Sequence, residues 1–233
     1  SHVHETPYGK PPGPVRVGLL DGHRVAFLAR HGEGHSVLPH RINYRANLAA
    51  LQMAGARRVV ALNTVGGITA DCGPGALVCP TQLIDYTWGR VSTLSEEADS
   101  DVLHVDFGDP YTAALRADIL AASRRAHVPM VDGGCYGATQ GPRLETKAEI
   151  ARLRRDGCDL VGMTGMPEAA LARELGLAYA CIGIVANWAA GEGPEVDAVI
   201  TLDEVLANVA SATAGVAIRS QRVTLPSPPD ARP

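Results

Sequence analysis

Two short runs near the start of the chain, 15–20 and 24–29, are mostly apolar, and the Asp21-Gly22 pair between them suits a tight turn, so the pattern predicts a β-hairpin. Arg30 and His31 then fall where a strand ends. From 42 to 54 apolar residues recur at helical spacing and stop at Gly55, which predicts a helix; the β-branched run 57–62 predicts a strand leading into Asn63-Thr64-Val65-Gly66-Gly67. Further strands are expected at 76–84, with Pro80 near its middle or edge, and at 130–138, 159–163 and 178–186. Helices are expected at 110–126, 145–156, 167–175 and 202–218, and 91–108 reads as polar, acidic loop.

Strands alternating with helices predict an α/β fold: a single domain with a central mixed β-sheet flanked by helices. That domain spans 15–222, after an irregular lead-in at 1–14 and before a proline-rich tail at 223–233. Ligands of such sheets gather at the carboxyl ends of strands. Those ends carry Arg30-His31, Asn63-Thr64 with Gly66-Gly67, Met163-Thr164, and Asn187.

Composition narrows the partners. With 233 residues and 46% hydrophobic content the chain can bury one substantial core. A formal charge of −4 with both signs interspersed leaves no basic stripe for a nucleic-acid backbone, so a small anion is the expected ligand. No apolar run reaches the roughly 20 residues of a membrane span and no leader opens the sequence, which predicts a soluble, cytoplasmic protein without a membrane partner. Five scattered cysteines without a CxxC pair fit reduced, buried thiols and argue against a zinc knuckle.

Arginine, hydroxyls, amides and glycine backbone in one crevice make an anion site, since backbone N–H groups approach phosphate closely at glycine and arginine adds a bidentate contact. Gly66-Gly67 alone could equally make a turn, and His31 alone could be a hydrogen-bonded structural histidine. His31, Glu33 and His35 also raise a metallohydrolase, but Gly32 and Gly34 disfavour the helix that would align them, and no metal is expected.

Longer stretches then become recognisable: RHGEGH with PHRINYRAN (30–47), NTVGGI (63–68), TQGPRLETKAE (139–149), GMTGMPEAALARELG (162–176) and IVANWAAG (184–191). In this order, from about residue 5 to 218, the chain resembles the trimeric purine nucleoside phosphorylase and methylthioadenosine phosphorylase family. The resemblance implies a nucleoside phosphorylase fold, a homotrimer, no cofactor, and inorganic phosphate as co-substrate. It implies that Arg30, His31, Thr64 and Thr164 hold phosphate, and that Met163 and Thr164 serve the ribose. Leu144, Glu145 and Asn187 would contact the base, with Glu145 and Asn187 catalytic, and His104 would enter the neighbouring subunit's pocket near the 5' group. The family also has an N-terminal strand and glycine-rich turn with a Thr or Ser on the phosphate, and this sequence begins after that point.

A 6-oxopurine presents a ring N–H beside a carbonyl. Glu145 can accept that proton, while Asn187 can donate to the carbonyl and accept from the imidazole-ring nitrogen as it is protonated. Animal-type methylthioadenosine phosphorylases carry aspartates where this chain has Asn187 and Ala189, and serine at Glu145, so all three differences point away from adenine. PHRINYRAN and DYTWGR (85–90) look closer to the methylthio-nucleoside branch. The combination implies phosphorolysis of S-methyl-5'-thioinosine to hypoxanthine and 5-methylthio-α-ribose 1-phosphate. Methylthioadenosine or inosine and guanosine as substrates, a hydrolytic nucleosidase, and a non-catalytic nucleoside-binding protein are the alternatives.

Overall fold

The computed structural model describes residues 5–95 and 103–194. The helix expected at 202–218, the tail, part of the 91–108 loop and the first four residues lie outside them. Residues 5–14 are irregular apart from one bridge, Thr6 to Gly9, and Asn43 Nδ2 ties them down by donating to the Tyr8 carbonyl at 2.7 Å.

The hairpin forms as the Asp-Gly pair predicts: β1 (Arg16–Leu20) and β2 (His23–Phe27) turn through Asp21 and Gly22 at φ 49° and 79°. Its inner side, Val15, Val17, Ala26 and Leu28, packs on Ala50 and Ala54. That links the hairpin to helix α1 (Tyr44–Met53), which begins two residues later than its apolar pattern because Asn43 is its cap and accepts from the Ala46 N–H at 3.0 Å.

The main sheet is mixed, with order β5-β7-β8-β3-β9-β4-β6. Its strands are β3 (Arg58–Gly67), β4 (Leu77–Cys79), β5 (Gln82–Asp85), β6 (Val131–Asp132), β7 (Cys135–Ala138), β8 (Leu160–Gly162) and β9 (Ala178–Trp188). Helices α2 (Ala113–Arg125), α3 (Lys147–Arg155) and α4 (Glu168–Glu174) complete the described elements, each slightly shorter than predicted.

Two expected strands each divide. The run 76–84 breaks at Pro80-Thr81 into β4 and β5, and 130–138 breaks at Gly133-Gly134, both at positive φ, into β6 and β7. β4 pairs with β6 and β5 with β7, yet these pairs sit at opposite ends of the strand order. A two-residue link lets Cys79 and Gln82 stand no more than about 11 Å apart, so the sheet must curl until its ends approach. Bonds from Gly133 N–H to Cys79 O and from Thr81 N–H to Gly134 O, both 3.0 Å, continue the pairing around this corner.

β3 and β9 run parallel along the centre and are both longer than their patterns predict, because they pair along their whole length. Residues 63–67 therefore belong to the strand instead of following it. Register holds from Arg58 opposite Ala178 to Val65 opposite Val185; then Ala186 bulges out and Gly66 meets Asn187. Gly67 makes no turn: a Cβ there would lie 1.7 Å from the Cys72 carbonyl oxygen, so close approach of backbone explains the residue. Val59, Ala61, Asn63 and Val65 face the core beside Leu48, Tyr136, Leu160, Leu171 and Tyr179, while Thr64 faces outward.

Candidate active site

The site forms where short β8 ends alongside the carboxyl-terminal part of β3. Gly66 pairs with Val161 of antiparallel β8 on one side and with Asn187 of β9 on the other. Thr64 and Asn187 lie inside the carboxyl-terminal parts of parallel β3 and β9 and not just beyond them, and antiparallel β8 leads at its own carboxyl end into Met163 and Thr164. Asn63 turns away from Thr64 into the core, 1% exposed, with neither side-chain polar atom paired.

Arg30 leaves the hairpin and meets the first residue of α4. Its Nε and Nη2 donate to the two Glu168 oxygens at 2.6 and 2.7 Å, Nη1 donates to the Leu62 carbonyl at 3.2 Å, and Glu168 also accepts from the Tyr179 hydroxyl at 2.9 Å. Burial works against the cationic form, but the Glu168 carboxylate outweighs it and holds the guanidinium protonated. Three of the five Arg30 N–H groups are thus committed, which leaves one on each terminal nitrogen for an anion. Leu62 is two residues from Thr64, and Glu168 is four residues after Thr164, which is 7% exposed. Arg30 thereby ties together the strand and the loop that carry the two hydroxyls.

His31 contacts the Val37 carbonyl through Nδ1 at 2.8 Å and stacks on His35 with ring centroids 4.0 Å apart. A carbonyl only accepts, so Nδ1 carries the proton and Nε2 presents a lone pair. Burial lowers the imidazole pKa and keeps it neutral. The side chains of Glu33 and His35 do not join His31 as a ligand set: Gly34 at φ 67° breaks the turn, and Glu33 pairs with Arg16.

On the other flank, Thr139 follows β7, its N–H donating to the Gly162 carbonyl at 2.8 Å, and its hydroxyl donates to Glu145 Oε1 at 2.5 Å. Glu145 stands just ahead of α3, whose cap is Thr146 in a reciprocal capping box with Glu149. The predicted helix start at 145 is therefore two residues early, and the carboxylate is free of helix-capping duty. Asn187 Nδ2 donates to the Trp188 carbonyl at 2.7 Å, leaving Oδ1 and a second N–H available. Ala189 is buried next to Gly66, so no carboxylate stands there.

Met163 lies half-buried over Gly141, where a Cβ would meet its sulfur at 2.3 Å. Leu144 is 51% exposed. His104 is exposed. Glu168, Tyr179, Thr139 and Arg90 escaped the sequence reading; Glu168, Thr139 and Arg90 stand inside the recognised motifs, but their partners lie up to 138 positions away. Among the described residues no group of three or more His, Cys, Asp or Glu side chains could hold a metal ion, all five cysteines are free thiols, and no helix is long and apolar enough to cross a membrane.

Comparison with known proteins bears on this arrangement. The family model described as the phosphorylase superfamily matches residues 1–222. A probable S-methyl-5'-thioinosine phosphorylase of Xanthomonas campestris pv. campestris is 68% identical over 216 residues, covering 93% of this chain and 86% of that protein. A probable 6-oxopurine nucleoside phosphorylase of Thermococcus kodakarensis is 47% identical over 195 residues, covering 82% of this chain and 72% of the relative. Among solved structures, methylthioadenosine phosphorylase from Schistosoma mansoni in complex with adenine matches with a TM-score of 0.87 at 32% identity, over 95% of this chain and 82% of the other.

Proposed function

The chain belongs to the phosphorylase superfamily, and within it we propose a phosphate-dependent pentosyltransferase that cleaves S-methyl-5'-thioinosine to hypoxanthine and 5-methylthio-α-ribose 1-phosphate. The observation that carries the choice of base is the Thr139 to Glu145 bond at 2.5 Å: the hydroxyl occupies one lone pair of an acceptor carboxylate and leaves Oε2 for a purine ring N–H. An ionised carboxylate can only accept, and a 6-aminopurine has no ring N–H to offer there, whereas a serine hydroxyl can either donate or accept.

In this reading phosphate lies under the sugar, held by the free N–H groups of Arg30 and by the hydroxyls of Thr64 and Thr164. His31 Nε2 accepts the O–H of the monohydrogen form, which suits a neutral imidazole whose Nδ1 is occupied. A phosphate oxygen bonds to C1' as the C1'–N9 pair leaves with the base. N7 takes a proton from solvent as the base leaves, balanced by the proton that the new phosphate ester gives up to solvent past His31; Asn187 Oδ1 holds the N7 proton while its remaining N–H meets the 6-oxygen. The nucleophile's own charge stabilises the oxocarbenium-like state, so the chemistry asks for no metal or redox cofactor. Met163 packs on the ribose and Leu144 on the base.

The proposed assembly is a homotrimer in which exposed His104 reaches the 5' pocket of the neighbouring subunit, and the proposed location is the cytoplasm, with no nucleic-acid or membrane partner. The test is phosphate-dependent base release from methylthioinosine, methylthioadenosine and inosine under identical conditions. Preference for methylthioinosine is expected. Preference for methylthioadenosine would overturn the roles of Glu145 and Asn187; preference for inosine would keep them and move the error to the 5' pocket.

A further inference from the structure

Arg90 ends the DYTWGR segment, and nothing in the proposed chemistry uses it. The segment itself is fastened: Asp85 accepts from the Thr87 N–H and hydroxyl at 2.8 and 2.7 Å, and the Trp88 N–H donates to Gln140 Oε1 at 3.2 Å. Beyond that turn the Arg90 guanidinium lies half-buried between two loops. Its Nη1 donates to the Met163 and Met166 carbonyls at 2.8 and 2.6 Å. Its Nη2 donates to the Gln140 and Thr139 carbonyls at 2.8 and 3.2 Å, and Nε donates to Gln140 Oε1 at 3.1 Å. The guanidinium stands beside the Tyr44 ring, 5.8 Å from its centroid.

All five N–H groups therefore end on the chain, and none is left for a ligand. Among the described residues no carboxylate pairs with this cation. One planar fork with its two terminal nitrogens in fixed relation can grip two loops at once; a lysine ammonium offers three donors from a single atom and cannot span both. The loops so joined are the one that carries Thr139 and leads to Glu145 and the one that carries Met163 and Thr164.

We propose that Arg90 is a positioning residue that locks the base-side loop to the sugar- and phosphate-side loop, so that purine and ribose are held in one register as the glycosidic bond breaks. The inference rests on the function proposed above. Misplacing reacting groups by about 1 Å costs on the order of 100-fold in rate.

The experiment compares wild type, Arg90→Lys and Arg90→Ala in the full-length protein by steady-state kinetics with methylthioinosine and phosphate, by hypoxanthine binding, by thermal melting, and with guanidinium added at low millimolar concentration. Expected are a fall in kcat of about 100-fold for both variants, hypoxanthine affinity and phosphate KM within a few-fold of wild type, and partial recovery of kcat in Arg90→Ala with guanidinium but none in Arg90→Lys. A kcat within threefold of wild type overturns the proposal. So does a loss that follows melting alone, with all binding lost together and no rescue by guanidinium. Failure of wild type to release base from any purine nucleoside would instead refute the proposed function, so the two failures are distinguishable.

Discussion

Glu168 grips one edge of Arg30 through two short bonds, and its own third contact is the hydroxyl of buried Tyr179. Charge and orientation are thus set by residues 138 positions apart. A buried ion pair that loses one partner is destabilised by about 3–5 kcal/mol, because a charge is left without compensation. Glu168→Gln keeps the shape and removes the charge. It should lower the melting temperature and raise the phosphate KM at least about tenfold, with a smaller effect on hypoxanthine binding. Unchanged phosphate KM in folded protein would show that Arg30 is not the phosphate arginine.

His31 supplies a pH dependence with a defined sign. An ordinary imidazole titrates near 6.5, and burial lowers the value for His31 in the fold. The unfolded chain then binds more protons than the folded one between the two values. The stabilisation is fully present above about pH 6.5 and is lost as pH falls through the folded value. Wild type should therefore lose more thermal stability between pH 7 and pH 5.5 than His31→Gln does. Parallel melting curves across that window would remove His31 from the account.

Much of this was legible along the chain, for local reasons. The Asp21-Gly22 turn, the helix closed by Gly55 and the order of strands and helices follow from neighbouring residues alone. What was not legible depends on pairing. Nothing near Pro80 or Gly133-Gly134 says that two short runs will each split and close a curled sheet, and nothing near Ala186 says that it will bulge to set Asn187 against Gly66. Among site residues, side chains that face a ligand were read from motif type. The groups that hold those side chains, Glu168 on Arg30 and Thr139 on Glu145, required the fold.

Thr139 gives a sharp test of that support. Its hydroxyl holds Glu145 Oε1 at 2.5 Å and is 3.3 Å from the Gly162 carbonyl, so its single proton goes to the stronger acceptor, the carboxylate. Thr139→Val keeps the volume and deletes the donor. A lost bond to a charged group is worth about 1.5–3 kcal/mol, so kcat/KM for methylthioinosine should fall by about 10- to 150-fold, and Thr139→Ser should restore most of it. Equal activity of the valine and serine variants would mean that Glu145 needs no such anchor.

The choice between purines rests on opposing patterns of donors and acceptors. Asn187 has one N–H on the Trp188 carbonyl, which fixes the amide plane and leaves an acceptor oxygen beside a second donor. A 6-oxopurine needs both: an acceptor for the protonated ring nitrogen and a donor for the oxygen. An aspartate offers acceptors only, which suits the 6-amino group and repels the 6-oxygen. One mismatched polar partner in a buried site costs about 1–3 kcal/mol, or about 5- to 150-fold. Asn187→Asp should therefore lower the ratio of kcat/KM for methylthioinosine over methylthioadenosine by a factor in that range, and adding Glu145→Ser should lower it further, since serine no longer demands a ring N–H. Both ratios are read from the same assay of base release, so a loss of folded protein cancels. An unchanged ratio in the single variant would place the base elsewhere than beside Asn187, whatever happens to the absolute rates.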